Sequence, residues 1–294
     1  MAEGGASAAR GIRFALLAMS CFAVQDAVSK HLAESYPVPF FVMLRYWAFA
    51  AFVMVLASRG AGGLRAAVRT KMPGLQIVRG VMLALQIIVF VHALDRLGLA
   101  PMMALFSLYP LLITILAIPL LGERVGWRRF MAVGVGFLGV LVILRPGLGV
   151  FDANAVIALA AAFGIALYSI LTRIVTRADG GSRAAVFYTG IAGAVTITMI
   201  GPFYWIPMAP ADWGWMALLA IAGLSGHFFL IRAYDATEAV RIQPFAYLQM
   251  VFGVLIGWMV FGEMVDLWMI VGMSLIIVAG LYALWREMQV TGHG

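Results

Sequence analysis

Gln25, Asp26, Ser29 and Lys30 sit within two helical turns of one another in an otherwise apolar run, and Arg45, Gln86 and His227 each stand inside an apolar run of their own. A carboxylate accepts hydrogen bonds, a guanidinium or ammonium donates them, and carboxamides and imidazoles do both. Such a set can bind a polar solute, relay a proton or hold an ion. The patterns that go with bond-breaking are absent from the sequence. There is no HExxH zinc motif, no Gly-x-Ser-x-Gly nucleophile turn (Gly223-Leu224-Ser225-Gly226 is not one), no Walker loop, and no ligand spacing among the four histidines. One cysteine, Cys21, allows neither a disulfide framework nor a CxxC metal site. The expectation is therefore a binding protein with no catalytic residues, no metal and no cofactor.

The elements that must position these groups are set by composition. Of 294 residues, 64% are hydrophobic, mean hydropathy is +1.01, and only 20 basic and 13 acidic side chains are present. That is too little polar surface for a soluble globule. A membrane-spanning helix needs about 20 apolar residues, and runs of that kind fall at 12–32, 38–58, 73–94, 100–121, 127–145, 153–174, 183–202, 213–234, 239–261 and 267–285. The expected fold class is an all-α integral membrane protein with ten transmembrane helices. The first run follows Arg10 and Arg13 like a signal peptide, but it holds Gln25 and Asp26 and lacks a clean small-residue cleavage site. With the N-terminus inside, fifteen Lys and Arg fall in cytoplasmic segments against three outside (Lys30, Arg96 and Arg145). This bias places both termini in the cytoplasm and explains the basic charge without nucleic acid.

The chain also repeats itself. At an offset of 140, Ala93-Leu94-Asp95 falls on Ala233-Tyr234-Asp235 and Gly122-Glu123-Arg124-Val125 on Gly262-Glu263-Met264-Val265. At 143, Ala15-Leu16 falls on Ala158-Leu159 and Lys30 on Arg173. Two halves of five spans each, 12–145 and 153–286, must lie in opposite orientations, and such inverted repeats exchange inward-open and outward-open states around a central site. Each half ends in a Gly-Glu turn followed by a glycine-rich span (Gly134, Gly136, Gly139; Gly272, Gly280), and Arg45 stands early in the second span within Met43-Leu44-Arg45-Tyr46. In these features the sequence resembles the EamA-type module of the drug/metabolite transporter superfamily, twice in tandem. Within it, the chain looks most like the YddG-type exporters of aromatic and other neutral amino acids in bacterial inner membranes. The second half departs from the pattern, with Tyr188 where Arg45 would map.

The resemblance implies a non-ATP transporter in the bilayer with a small-molecule substrate. The residues put forward to line its cavity are Gln86, His227, Phe90, Tyr168, Tyr247, Gln25, Tyr109 and Gln243. Gln86 and His227, related by the repeat, are expected to meet near mid-depth and hold the polar end of the substrate. Phe90, Tyr168 and Tyr247 are expected against its side chain. Asp26 and Lys30, four residues apart, suit mutual neutralisation, with a proton or substrate role for Asp26 as the alternative. Arg45 must pair with a carboxylate or carbonyl oxygens, and Arg79 reads as a snorkelling anchor near the inner boundary. Glu123 and Glu263 are placed to charge the N-terminus of the helix that follows each. The glycine-rich fifth and tenth spans are expected to brace the fold against lipid or, in a homodimer, a second copy. A nucleotide-sugar, organic-phosphate or cationic-drug carrier of the same superfamily is the alternative function; a channel or membrane-embedded enzyme is more remote.

This topology has a direct check. Reporter fusions after Arg69, Arg129 and Arg177 are expected to read cytoplasmic, and fusions near Ser35, Gly149 and Pro207 external; an external Arg129 would contradict the ten-span arrangement.

Overall fold

A computed structural model describes residues 2–122, 126–145, 154–236 and 243–291, and every regular element among them is helical. In order these are α1 (Ala2–Ala33), α2 (Val38–Arg59), α3 (Gly63–Val68), α4 (Pro73–Leu97), α5 (Leu99–Phe106), α6 (Tyr109–Leu121), α7 (Trp127–Leu144), α8 (Asn154–Asp179), α9 (Arg183–Ile200), α10 (Asp212–Ala236), α11 (Ala246–Phe261) and α12 (Leu267–Thr291). Seven helical stretches are long and apolar enough to cross a membrane, and Phe130–Leu144, Ala246–Phe261 and Leu267–Ala283 form shorter apolar helices.

The helix ends follow from the sequence. Gly122 and Gly262, the glycines of the two Gly-Glu turns, both adopt left-handed backbone (φ 66 and 64) and close α6 and α11. A residue with a Cβ would be strained there, so the repeated motif marks a helix C-cap. The apolar run at 100–121 is not one continuous helix. It breaks at Ser107-Leu108 into α5 and α6, because Pro110 has no N–H to donate and its ring crowds the carbonyl four residues earlier. The run at 239–261 is helical only from Ala246, after a tight 3-10 turn at Gln243–Phe245 that contains Pro244.

The helices pair in a pattern that mirrors the repeat. α1 packs on α10 and α11; α8 packs on α4 and α6; α4 packs on α9 and α2 on α10; and α2·α9, α5·α11 and α7·α12 form three further pairs. Replacing each helix by its counterpart in the other half converts this set of pairs into itself. The α7·α12 pair is the closest: a Cβ built on Gly139 would lie 2.6 Å from the Gly272 carbonyl oxygen. Gly136 lies against Leu111 of α6. These two glycines therefore serve contacts inside the chain rather than against lipid or a second copy, because removing the side chain lets two helix backbones approach.

Glu263 corrects a further expectation. It does not serve the helix that follows it. Its carboxylate crosses to the other half and accepts from the backbone N–H groups of Leu99 (2.7 Å) and Ala100 (2.5 Å) at the start of α5. A Cβ on Gly98 (φ 90) would collide with it. Free N–H groups open at that helix start because the chain turns sharply between α4 and α5, and a carboxylate satisfies them with favourable dipole charge. Glu123, its repeat counterpart, lies outside the described residues.

Glu263→Gln keeps the size of this cap and removes its charge. It is expected to cost about 1–2 kcal/mol of stability, read as a lower melting temperature in detergent with an unchanged substrate spectrum. A changed spectrum would contradict a purely structural role.

Candidate functional site

Four helices bring one polar cluster together. On α1, Asp26 is 3% exposed, and its carboxylate accepts from Gln249 Nε2 of α11 at 2.7 Å and, at 3.5 Å, from Gln25 Nε2 next to it. Ser29 donates back to the Gln25 carbonyl oxygen (2.8 Å), as hydroxyls in membrane helices do. Arg45 of α2 lies within electrostatic reach of both Asp26 and His227. Only half-buried, it makes no hydrogen bond or ion pair with any described residue. The expected carboxylate or carbonyl partner of this guanidinium is not there. His227 of α10 sits between two rings, edge-on to Phe22 (5.2 Å) and tilted on Phe49 (5.0 Å).

The expected Asp26–Lys30 pair does not form. Lys30 reaches Glu34 (2.9 Å) and Glu263 (3.6 Å), with its ammonium 4.3 Å above the Phe261 ring. The long lysine stem carries its charge to the helix end, where two carboxylates wait. The short Asp26 side chain stays deeper, among carboxamides.

Arg79 is also not the boundary anchor that its position suggests. It is 1% exposed. Its guanidinium donates to the Tyr168 phenol (2.8 Å), Thr172 Oγ1 (3.0 Å), Gln76 Oε1 (3.0 Å) and the Ala185 carbonyl oxygen. Four neutral acceptors from α4, α8 and α9 thus hold a cation inside the bundle. Gln76 in turn donates to Asp179 (3.1 Å), which also accepts from Thr70 and the Lys71 N–H (both 2.7 Å). The charge is therefore relayed to an acid at the helix end. Tyr168, expected against a substrate side chain, is one of these acceptors and lies 3.3 Å from Thr189 Oγ1. At the other end Tyr36 donates to Asp212 (2.6 Å), which raises the phenol above its usual value.

The remaining candidates divide between two places. Gln86 donates to the Ala161 carbonyl oxygen of α8 (3.1 Å) and lies against Gly164. It therefore occupies the α4–α8 interface, whereas His227 occupies the α1–α2–α10 interface, and no contact joins them. Phe90, Phe106 and Tyr109 form a ring cluster at centroid spacings of 4.8 and 5.2 Å. Tyr247 is 2% exposed with its hydroxyl wedged at Gly280, where a Cβ would overlap it. The side chain of Gln243 lies outside the described residues. Among the described residues, no three His, Cys, Asp or Glu side chains are grouped to hold a metal.

The structure thus unites Gln25, Asp26, Arg45 and His227, and adds three residues that were not singled out. Phe22 and Phe49 stand one helical turn from Asp26 and Arg45, which is a usable signal. Gln249 stands in the ninth apolar run and falls on Tyr109 at an offset of 140, but neither signal points to Asp26. Chemically, the cluster offers one carboxylate, one unengaged guanidinium and apolar rings, which is the equipment for holding a solute with both charges.

The EamA-like transporter family matches residues 9–145 and again 153–285. The S-adenosylmethionine uptake transporter of Rickettsia prowazekii is 26% identical over 283 residues, 94% of this chain and 93% of that one. The pseudopaline exporter CntI of Pseudomonas aeruginosa is 28% identical over 270 residues, 92% and 94% of the two chains. The riboflavin transporter of Brucella anthropi is 27% identical over 257 residues, 84% and 88%. A solved crystal structure superposes with a TM-score of 0.64 at 18% identity, covering 97% of this chain and 99% of that one, which shows a shared fold.

Arg79→Ala would leave its buried acceptors empty and is expected to cost about 3 kcal/mol or more. The measure is monodisperse protein recovered by size-exclusion chromatography. Recovery equal to wild type would contradict the assignment of Arg79 as a structural hub.

Proposed function

The chain belongs to the EamA-like transporter family, and from that membership we propose that it is a secondary carrier for small zwitterionic metabolites of amino-acid type. In this reading it is a multi-pass protein of the bacterial inner membrane with ten spans, both termini in the cytoplasm, and two inverted halves that alternate access to a central site. The self-matching set of helix pairs supports the inverted repeat. Export of aromatic and other neutral amino acids, the expectation from the resemblance, is one case of this chemistry. S-adenosylmethionine, which names one relative, carries the same amino-acid zwitterion on a larger body.

The observation that carries the proposal is the unengaged Arg45 guanidinium beside a buried Asp26 carboxylate that it does not bind. Charges within a membrane span are costly unless they meet a partner, and unpaired ones mark a substrate or ion path. A zwitterion completes both at once: its carboxylate faces Arg45 and its ammonium faces Asp26. An organic phosphate would call for a second free cation at this depth. Arg79 commits both of its terminal nitrogens to neutral acceptors.

Counterflow into proteoliposomes should decide among substrates. The panel is radiolabelled aromatic and aliphatic amino acids, S-adenosylmethionine and riboflavin, each with and without a pH gradient. The reading requires saturable counterflow of at least one zwitterion and its loss in Asp26→Asn and His227→Ala at normal membrane expression. Gln86→Ala is expected to lower transport as well, and Cys21→Ala to be nearly silent. Counterflow of riboflavin alone would overturn the zwitterion reading.

A further inference from the structure

Beside Asp26 lies a second under-satisfied oxygen. Gln25 is 6% exposed, and its Oε1 is fully buried with no hydrogen-bond partner. Its orientation is dictated by charge. The amide N–H end turns toward the Asp26 carboxylate (3.5 Å), so the carbonyl end must point away, at Gly223 of α10. Gly223 has no side chain there, and a Cβ would stand 2.7 Å from that oxygen. The glycine thus leaves room for the oxygen itself, which a side chain at that position would displace. Leaving a buried amide oxygen unpaired is unfavourable, and the sequence could have avoided it with an apolar residue at position 25.

The Asp26 oxygens are also unequal. Oδ2 receives a short hydrogen bond from Gln249 (2.7 Å), whereas Oδ1 has only the long contact to Gln25. The site therefore holds two oxygens with spare accepting capacity and one formal negative charge. It lacks the several carboxylates or histidines a metal ion would want. Phe22 and Phe49, flanking His227 one turn away, supply apolar walls.

We infer that Gln25 Oε1 and Asp26 together form an ammonium subsite that requires N–H donors, so the carrier distinguishes primary and secondary amines from quaternary ones. This rests on the zwitterion reading above and goes further: it assigns Gln25 as the residue that fixes the degree of N-substitution. A primary ammonium presents three N–H groups, enough for Oε1 and Oδ1 together. A trimethylated nitrogen carries the same charge and would satisfy Asp26 electrostatically, but it leaves Oε1 unpaired against methyl groups. A site built to hydrogen-bond a group discriminates strongly against the analogue that lacks it.

The test is equilibrium binding of L-phenylalanine and its N-methyl, N,N-dimethyl and N,N,N-trimethyl derivatives to the purified full-length protein, by isothermal titration. The mono-methyl compound is expected to bind within a few-fold of the parent and the trimethyl compound at least about tenfold more weakly. In Gln25→Leu the parent weakens and the preference over the trimethyl compound collapses. Gly223→Ala, which crowds the oxygen without removing it, should shift the series the same way. Equal binding of parent and trimethyl compound by wild type overturns the inference while leaving the zwitterion reading intact. Retention of the full preference in Gln25→Leu also overturns it. Absence of binding by every member overturns the inference, and the zwitterion reading falls with it when no other zwitterion shows counterflow.

Discussion

A charge inside hydrocarbon must find an opposite charge, a ring of dipoles or a ligand, and four charges among the described residues show how this bundle meets that demand. Lys30 takes the first solution, between Glu34 and Glu263. Arg79 takes the second, with four neutral oxygens from three helices, and in meeting its needs it ties α4 to α8 and α9. Asp26 is partly served by Gln249 and Gln25, and that service joins α1 to α11. Arg45 has no solution among the described residues. The first two charges hold helices in place; in the proposed reading the last two are completed by the substrate.

The repeat supplies the frame and its imperfections supply the polar cluster. Helix pairs α1·α10 and α4·α8 are counterparts, yet the first carries Asp26 and the second Arg79. At an offset of 143, Gln25, Asp26 and Arg45 fall on Tyr168, Ser169 and Tyr188. The second half thus replaces charged and amide groups by hydroxyls, all of which bond within the chain: Tyr168 to Arg79, Ser169 to the Ile165 carbonyl oxygen and Tyr188 to the Val68 carbonyl oxygen.

Much of this was legible in the sequence because it is local. Apolar runs, the glycines of the Gly-Glu turns and the presence of Asp26, Arg45 and His227 inside apolar runs need no tertiary information. Partners did need it. Gln249 is 223 residues from Asp26, and nothing near either residue announces the other. Arg79 looked like a snorkelling anchor because it sits only two turns into its helix; the hydroxyls that make a buried position tolerable come from α8. Lys30 lies four residues from Asp26 on one side and four from Glu34 on the other, so spacing alone does not choose between them; the long side chain reaches the helix end, to Glu34 and Glu263. Glu263 was rightly read as a helix-terminus charge, but for a helix in the other half.

The central claim is that the free Arg45 guanidinium receives the substrate's carboxylate. It is tested most directly by the ratio of affinities for L-phenylalanine and L-phenylalaninamide, which differ at the carboxyl group, in wild type and in Arg45→Gln. The account predicts a wild-type preference for the free carboxylate of at least about tenfold, lost in Arg45→Gln through weaker binding of phenylalanine alone. An Arg45→Gln protein that keeps the wild-type ratio would contradict it.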